Sequence, residues 1–389
     1  MADHLAGGAL WPLDDEERLL QATAREFARR ELGPGIAERD EAEHFERGLF
    51  TRMGELGLTA APLPPAVGGT GFSYRAWAIA MEEIAYVDMA MAVTLSVHIL
   101  SQLPVVAWGS EEQRSRWLPA MVTGEKLGAF ALTEPHAGSD AAALRLRATR
   151  VRDGEAYRLD GTKTWISNAP DAERYLVFAT VDPDAGPRAI TAFLVEKGTP
   201  GFGFGRKEKK LGIRSCPASE LIFEGAEVPA ANRLGEEGQG YRIALSSLGE
   251  GRISIAAACT GLAQAALDAA TGYVKERRAF GKPLSEQGGV RFMLAEMVQK
   301  VASARALTRL AAEARDRGDP IAEASSLAKW TASDAAMSVA SDAIQLFGAT
   351  GYSREAPVER FLRDAKGAQI YEGTNQIHRL IVAEALLGE

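Results

Sequence analysis

The chain has 389 residues, 46% hydrophobic and 25% charged, with 44 Lys and Arg against 52 Asp and Glu, for a net charge of −8. This make-up is that of a globular protein of two or three domains. It excludes a disordered, collagen-like or disulfide-stapled chain, and the acidic balance argues against a general nucleic-acid binder. One anionic ligand held in a local pocket stays compatible with it.

Cys216 and Cys259 form no CxxC pair, and His4, His44, His98, His136 and His378 are scattered without an HExxH. Neither a disulfide framework nor a metal site is expected. The stretch Met1 to Glu17 is acidic and carries no targeting pattern, and no apolar run reaches the roughly 18 residues of a membrane span. The expectation is a cytoplasmic protein without a membrane segment.

In chain order, Asp14 or Asp15 can cap a helix carrying Leu20, Ala24, Phe27 and Ala28 on one face, ended by Gly33-Pro34. Phe45 to Leu56 predicts a second helix and Tyr74 to Leu103 one or two buried ones. Ser110 to Met121 predicts another, capped by Ser110. The pattern changes near Lys126. Short β-rich segments follow at Gly128–Leu132, Tyr157–Thr164, Tyr175–Val181, Ile190–Glu196 and Glu220–Phe223, divided by turn signals such as Asp160-Gly161 and Thr199-Pro-Gly201. Their spacing suits a small antiparallel sandwich or barrel. From Gly240 the text is helical again, with Arg242–Arg278, Val290–Arg317, Ile321–Phe347 and Val358–Leu387 reading as a four-helix bundle. The fold class is mainly α with a β-domain, divided as 1–126, 127–235 and 236–389.

The glycines of Gly201 to Gly205 lack GxGxxG spacing and a βαβ context, so they read as a turn and not as a dinucleotide site. No GxxxxGK[ST] or GxSxG occurs. Two denser constellations carry chemistry. Phe130 to Asp140 sets hydroxyls and loop N–H groups where a strand ends, which suits a phosphate or a heteroaromatic ring. Ile370 to Ile377 sets one carboxylate, Glu372, between Tyr371 and Gly373 in apolar helical text, where burial favours a base of raised pKa.

Together these resemble the acyl-CoA dehydrogenase family along essentially the whole chain. Ala131 to Ala143 reads ALTEPHAGSDAAA, and Gln345 to Asp364 reads QLFGATGYSREAPVERFLRD. KTWISN at Lys163–Asn168, KLGIR at Lys210–Arg214, RRAFGKPL at Arg277–Leu284 and YEGTNQIHR at Tyr371–Arg379 stand in the family's order.

The resemblance implies a helical N-terminal domain, a middle β-domain and a C-terminal four-helix bundle. It also implies non-covalent FAD, and oxidation of an acyl-CoA thioester to the trans-2-enoyl-CoA with electrons passed to electron-transfer flavoprotein. Glu372 would abstract the α-proton, while hydride leaves the β-carbon for flavin N5. The base's backbone N–H and a flavin ribityl hydroxyl would polarise the thioester oxygen.

By matching position, Phe130, Leu132, Thr133, Gly138, Ser139, Trp165, Ile166 and Ser167 would meet the flavin. Arg277, Phe280, Gln345, Leu346, Gly348 and Ala349 would meet the FAD of a neighbouring subunit, in a homotetramer built as a dimer of dimers. Thr374 and Gln376 would contact its adenosine-diphosphate part. Ser139, Gly249, Glu250, Gly251, Arg252 and Gly373 would contact the acyl-CoA.

Some relatives carry the base at the position of Gly251, where glycine cannot serve, and Glu250 beside it is rotated about 100° around a helix. Glu372 is therefore the expected base. Three residues depart from the family pattern: Ala349 stands for Gly or Ser, Gly288 for a FAD-contacting Gln, and Gly249 for an acidic residue. The wording is nearest to short-chain, butyryl-type members. The alternatives are a flavin oxidase or monooxygenase on the same fold, or a helical scaffold without FAD, and the intact motif around Glu372 argues against both.

Overall fold

The computed structural model describes residues 12–388. Most of the acidic N-terminal stretch read for targeting signals, with His4, lies outside the described residues.

Helix α1 (Asp15–Phe27) opens with a reciprocal cap. The Asp14 side chain accepts from the Glu17 N–H and the Glu17 carboxylate accepts from the Asp14 N–H. It runs on through a π-helical turn, Ala28–Leu32. Two shorter helices, α2 (Ile36–Glu41) and α3 (Arg47–Glu55), follow. The long apolar stretch after Ser73 divides at Asp88, whose carboxylate caps α5 (Met89–Trp108) just where α4 (Tyr74–Val87) ends. Helix α6 (Glu111–Val122) carries a second reciprocal cap, Ser110 with Gln113.

The strands β1 (Gly128–Ala131), β2 (Arg147–Val151), β3 (Ala156–Ser167), β4 (Arg174–Thr180), β5 (Ile190–Glu196), β6 (Phe202–Lys207), β7 (Ala218–Pro229) and β8 (Arg233–Leu234) join in one sheet. Its order is β6-β7-β3-β2-β4-β5-β8, with β1 beside β4. Most pairings are antiparallel, but β1–β4 and β2–β4 are parallel, which local turn signals do not announce. The Gly201 to Gly205 segment is a turn only at Gly201, φ +79°; the rest is edge strand β6. Rings of Phe202 and Phe223 stack 4.8 Å apart and hold it to β7.

Helix α7 (Gly240–Glu276) is followed by a hairpin of β9 (Arg278–Ala279) and β10 (Lys282–Pro283). Then come α8 (Gly288–Arg317) and α9 (Ala322–Phe347). The fourth expected bundle helix is two helices, α10 (Val358–Ala368) and α11 (Asn375–Leu387), broken by the turn that carries Glu372.

Helices α5 and α7 have the length and apolarity of membrane spans, contrary to the sequence expectation, yet 89% of each apolar window is buried inside the protein. Helices α4 and α5 pack on α7, so N-terminal and C-terminal helices share one core.

Two polar devices fix the sheet to these helices. Buried His98 of α5 accepts from the Gly128 N–H and donates to the Met121 carbonyl, each at 3.0 Å. Burial lowers its pKa to about 3, so it stays neutral. The Lys210–Arg214 loop docks on α10. Gly212 lies against the Arg363 carbonyl, where a side chain would collide, and the Ile213 N–H donates to buried Asp364. Arg363 reaches from there to Asp40 of α2 at 2.7 Å.

Candidate active site

The turn between α10 and α11 is held from α9. Asp334 accepts from Gln369 at 2.6 Å and from Asn375 at 2.8 Å, Ser333 bonds Asn375, and the Lys329 ammonium donates to the Gly373 carbonyl at 2.7 Å. So fixed, Glu372 takes a left-handed conformation, φ +54°, and Gly373 follows at φ +93°. A non-glycine residue pays for such a conformation, and the surroundings must over-determine it.

The result is a carboxylate with nothing to bond. Glu372 as a residue is half-buried, but both its carboxylate oxygens are out of contact with solvent and neither has a hydrogen-bond partner. Burial pushes the carboxyl up to about 7, against the opposing charges of Lys329 and Arg252. A proton acceptor that titrates near neutrality in a dry pocket is what removal of a weakly acidic C–H proton requires.

Helix α7 forms the facing wall. A Cβ built on Gly251 would stand 2.6 Å from Glu372 Oε2, so only glycine leaves the carboxylate its place. Arg252 is 8% exposed. Its guanidinium donates to Ser326 Oγ at 3.3 Å, and its Nε is buried without a partner. A buried cation with an idle donor beside a buried anion with two idle oxygens is a site arranged for a ligand carrying both donors and acceptors. Tyr371 adds a buried hydroxyl without a partner, and His378, also unpartnered, is held neutral by burial at about 3. Burial likewise pushes the Cys259 thiol up to about 12, leaving it unreactive.

Of the expected substrate contacts on α7, Glu250 and Gly249 are placed as follows. Glu250 turns from Glu372 to pair with Arg315, as the 100° step along the helix requires. Gly249 faces Ile321, whose Cδ1 would lie 2.9 Å from a Cβ there, so a side chain at 249 would have to displace Ile321.

The second group lies where β1 and β3 end. Fully buried Lys163 pairs with buried Glu134 at 2.7 Å and also donates to the Leu132 carbonyl. Glu134 in turn accepts from the Arg145 and Leu146 N–H groups. This clasp ties both ends of the Thr133–Leu146 loop to β3. Thr133 and Ser167 are half-buried, Gly138 and Ser139 form an exposed rim, and a Cβ at Gly138 would meet open space. Trp165 sits in a bulge of β3 with φ +58°, its indole 56% exposed. An exposed indole in a constrained conformation, on the strand that carries Ser167 and is tied to the glycine-rimmed loop, fits a flat heteroaromatic cofactor.

Phe130 leans on Phe178, with ring centroids 5.0 Å apart. Ile166, expected at the cofactor, turns its side chain into the core, because strand alternation sends it opposite to Trp165. The Thr374 hydroxyl is engaged as the N-cap of α11, bonding the Ile377 N–H, while Gln376 is exposed.

The third group is remote. Arg277 follows α7, about 39 Å along the helix from Gly251 at 1.5 Å per residue. Phe280 beside it is 95% exposed with φ +53°. Gln345, Gly348 and Ala349 lie exposed at the same end, where Phe347 stacks on Tyr273 at 4.1 Å. Leu346 is buried in the core.

Three family models match in succession: the acyl-CoA dehydrogenase N-terminal domain over residues 14–125, the middle domain over 129–226 and the C-terminal domain over 238–387. The chain belongs to the acyl-CoA dehydrogenase family. It is 44% identical to an acyl-CoA dehydrogenase of Bacillus subtilis, over 96% of this chain and 98% of that protein. The butyryl-CoA dehydrogenase structure from Megasphaera elsdenii superposes with a TM-score of 0.95 at 41% identity, covering 97% of this chain and 99% of that one. A chain of a structure described as the electron transferring flavoprotein of Acidaminococcus fermentans gives a TM-score of 0.95 at 42% identity, covering 97% and 100%.

Sequence reasoning missed Lys329. The signal was present: in Ser325, Ala328, Lys329, Ala332, Ser333 and Ala336 the lysine falls on the buried stripe of an otherwise small-residue helix.

Proposed function

We propose that this acyl-CoA dehydrogenase oxidises a short-chain acyl-CoA, of butyryl type, with Glu372 as the α-proton base. The observation that carries the reading is the Glu372 carboxylate, with both oxygens dry and unpartnered against the Gly251 backbone.

The cofactor is FAD. Trp165, Ser167, Thr133, Gly138 and Ser139 would hold it, and when bound it supplies the two-electron oxidant that no side chain provides. Glu372 accepts the α-proton at a carboxylate oxygen. Its pocket excludes water, and no donor competes for its lone pairs. The Glu372 N–H is the chain's own donor toward a thioester oxygen, and Arg252 supplies positive charge beside the developing enolate.

Arg277, Phe280 and Gln345 to Ala349 lie too far along the bundle to reach the same cofactor as Glu372, which supports assembly as a homotetramer, a dimer of dimers, in which they serve a neighbour's FAD. Electron-transfer flavoprotein as acceptor and a cytoplasmic location complete the reading. The likeness to the Megasphaera enzyme and to the Acidaminococcus structure supports the chain length and the acceptor.

The test is anaerobic addition of butyryl-CoA to the FAD-loaded protein, followed at the visible flavin band. The wild type is expected to bleach. Glu372→Gln is expected to keep FAD but bleach at least 10³-fold more slowly. A Glu372→Gln protein that bleaches at the wild-type rate overturns the assignment of the base.

A further inference from the structure

Lys329 has no place in the mechanism above, yet it is fully buried in the middle of α9. A lysine there costs desolvation and side-chain entropy, so its ammonium should meet strong acceptors. No carboxylate lies within ion-pair distance of it among the described residues. Its acceptors are the Gly373 carbonyl at 2.7 Å and Asn375 Oδ1 at 3.3 Å, on the two sides of Thr374. One cation therefore ties the residue after the base to the first residue of α11.

We propose that Lys329 is a positioning residue for the base, its ammonium fixing the Glu372–Gly373 turn through the Gly373 carbonyl and its charge favouring the ionised carboxylate. The inference rests on Glu372 being the base. One feature of the geometry carries it and the electrostatics of the pocket support it. Glu372 and Gly373 both hold positive φ, so the turn needs an external restraint, and the Gly373 carbonyl is where Lys329 supplies one. The groups around Lys329 are Cys259 and Arg252 of α7, Asp334 of α9, Glu372 of the turn and His378 of α11. Burial lowers Lys329 itself to about 8, and its charge acts on Glu372 to lower the carboxyl, in the same sense as Arg252. Without these cations a carboxylate in this pocket would hold its proton to still higher pH and be idle as a base.

The test uses the FAD-loaded enzyme with butyryl-CoA and three variants. Lys329→Gln keeps a donor for the Gly373 carbonyl but removes the charge. It is expected to move the acid limb of the kcat/KM profile upward by about one pH unit. Lys329→Arg keeps the charge and should leave the limb within a few tenths of a unit of wild type. Lys329→Met removes both, and should in addition raise amide hydrogen exchange in the 369–378 segment alone. Should Lys329→Met fail to fold, the Gln and Arg pair decides.

A Gln variant with the wild-type limb and rate overturns the proposal while Glu372→Gln stays inactive. An active Glu372→Gln overturns the base itself, so the two failures are distinguishable. A uniform rise in exchange with an unmoved limb would make Lys329 a fold residue only, and would also overturn the proposal.

Discussion

Gly251 and Glu372 meet across a gap that admits no side chain: a Cβ at 251 would lie 2.6 Å from Glu372 Oε2. The obstructed atom is the tip of a flexible side chain, so Gly251→Ala should fold by displacing the carboxylate. Alanine is favoured over glycine in a helix by about 1 kcal/mol. The melting temperature is expected to hold or rise by a few degrees, while kcat/KM falls roughly 10- to 100-fold, the usual result of misplacing a reacting group by about 1 Å. Calorimetry and steady-state kinetics on one preparation check both signs.

The same gap can be approached from the other wall. Glu372→Gly removes the carboxylate and relieves the positive φ at that position. Adding Gly251→Glu returns a carboxylate from α7 to the same space. The double variant is expected to turn over at least about 10-fold faster than Glu372→Gly, because general-base catalysis contributes about 10²–10⁴-fold and even a loosely placed carboxylate recovers part of it. A double variant no faster than the single one would show that the α7 wall cannot present a base there.

The dryness of Glu372 has a cost that pH exposes. Burial raises its carboxyl from an ordinary 4.5 to about 7, so the folded protein binds a proton there more tightly than the unfolded chain. Stability from this group is fully present below pH 4.5 and declines as pH rises toward 7, by about 3 kcal/mol in all. Glutamine does not titrate. In chemical denaturation of the cofactor-free protein, Glu372→Gln should match wild type near pH 4.5 and exceed it at pH 8. Buried Asp364, also raised to about 7, titrates in both proteins and cancels from the difference. The catalytic counterpart is an acid limb near pH 7 in kcat/KM, with activity rising as Glu372 ionises.

Lys163→Met tests the clasp under the cofactor loop. Removing the ammonium leaves Glu134 buried and unpaired, which costs about 3–5 kcal/mol when one partner of a buried pair is lost. Differential scanning calorimetry should show a large fall in melting temperature. The flavin-to-protein ratio after gel filtration should fall as well, since the Thr133–Leu146 loop loses its anchor. Glu134→Gln, which keeps the loop N–H groups partly bonded, is expected to be milder.

Much of this molecule is legible in its sequence because the features are local. Asp14 with Glu17 and Ser110 with Gln113 announce helix starts three residues apart, and the motif around Glu372 marks the carboxylate proposed as the base. What escaped reading is set by distant partners. The β1–β4 pairing is parallel and joins residues more than 40 positions apart, so no turn signal records it. The break between α10 and α11 carries a local signal in Gly373 and the N-cap Thr374, but the shape of the turn is set by the α9 side chains of Lys329, Ser333 and Asp334. Strand alternation that turns Ile166 inward is likewise clear only once the bulge at Trp165 is placed.

Helix α7 carries the wall of one catalytic pocket at Gly251 and delivers Arg277 and Phe280 at its other end, a span longer than a dinucleotide. If both ends serve cofactor sites, they serve different ones. The arrangement is then reciprocal: each copy lends its neighbour what it cannot use itself and borrows the same part in return. A stiff rod between the two places makes lender and borrower respond together, so a substitution at either end of α7 would be felt in two active sites at once.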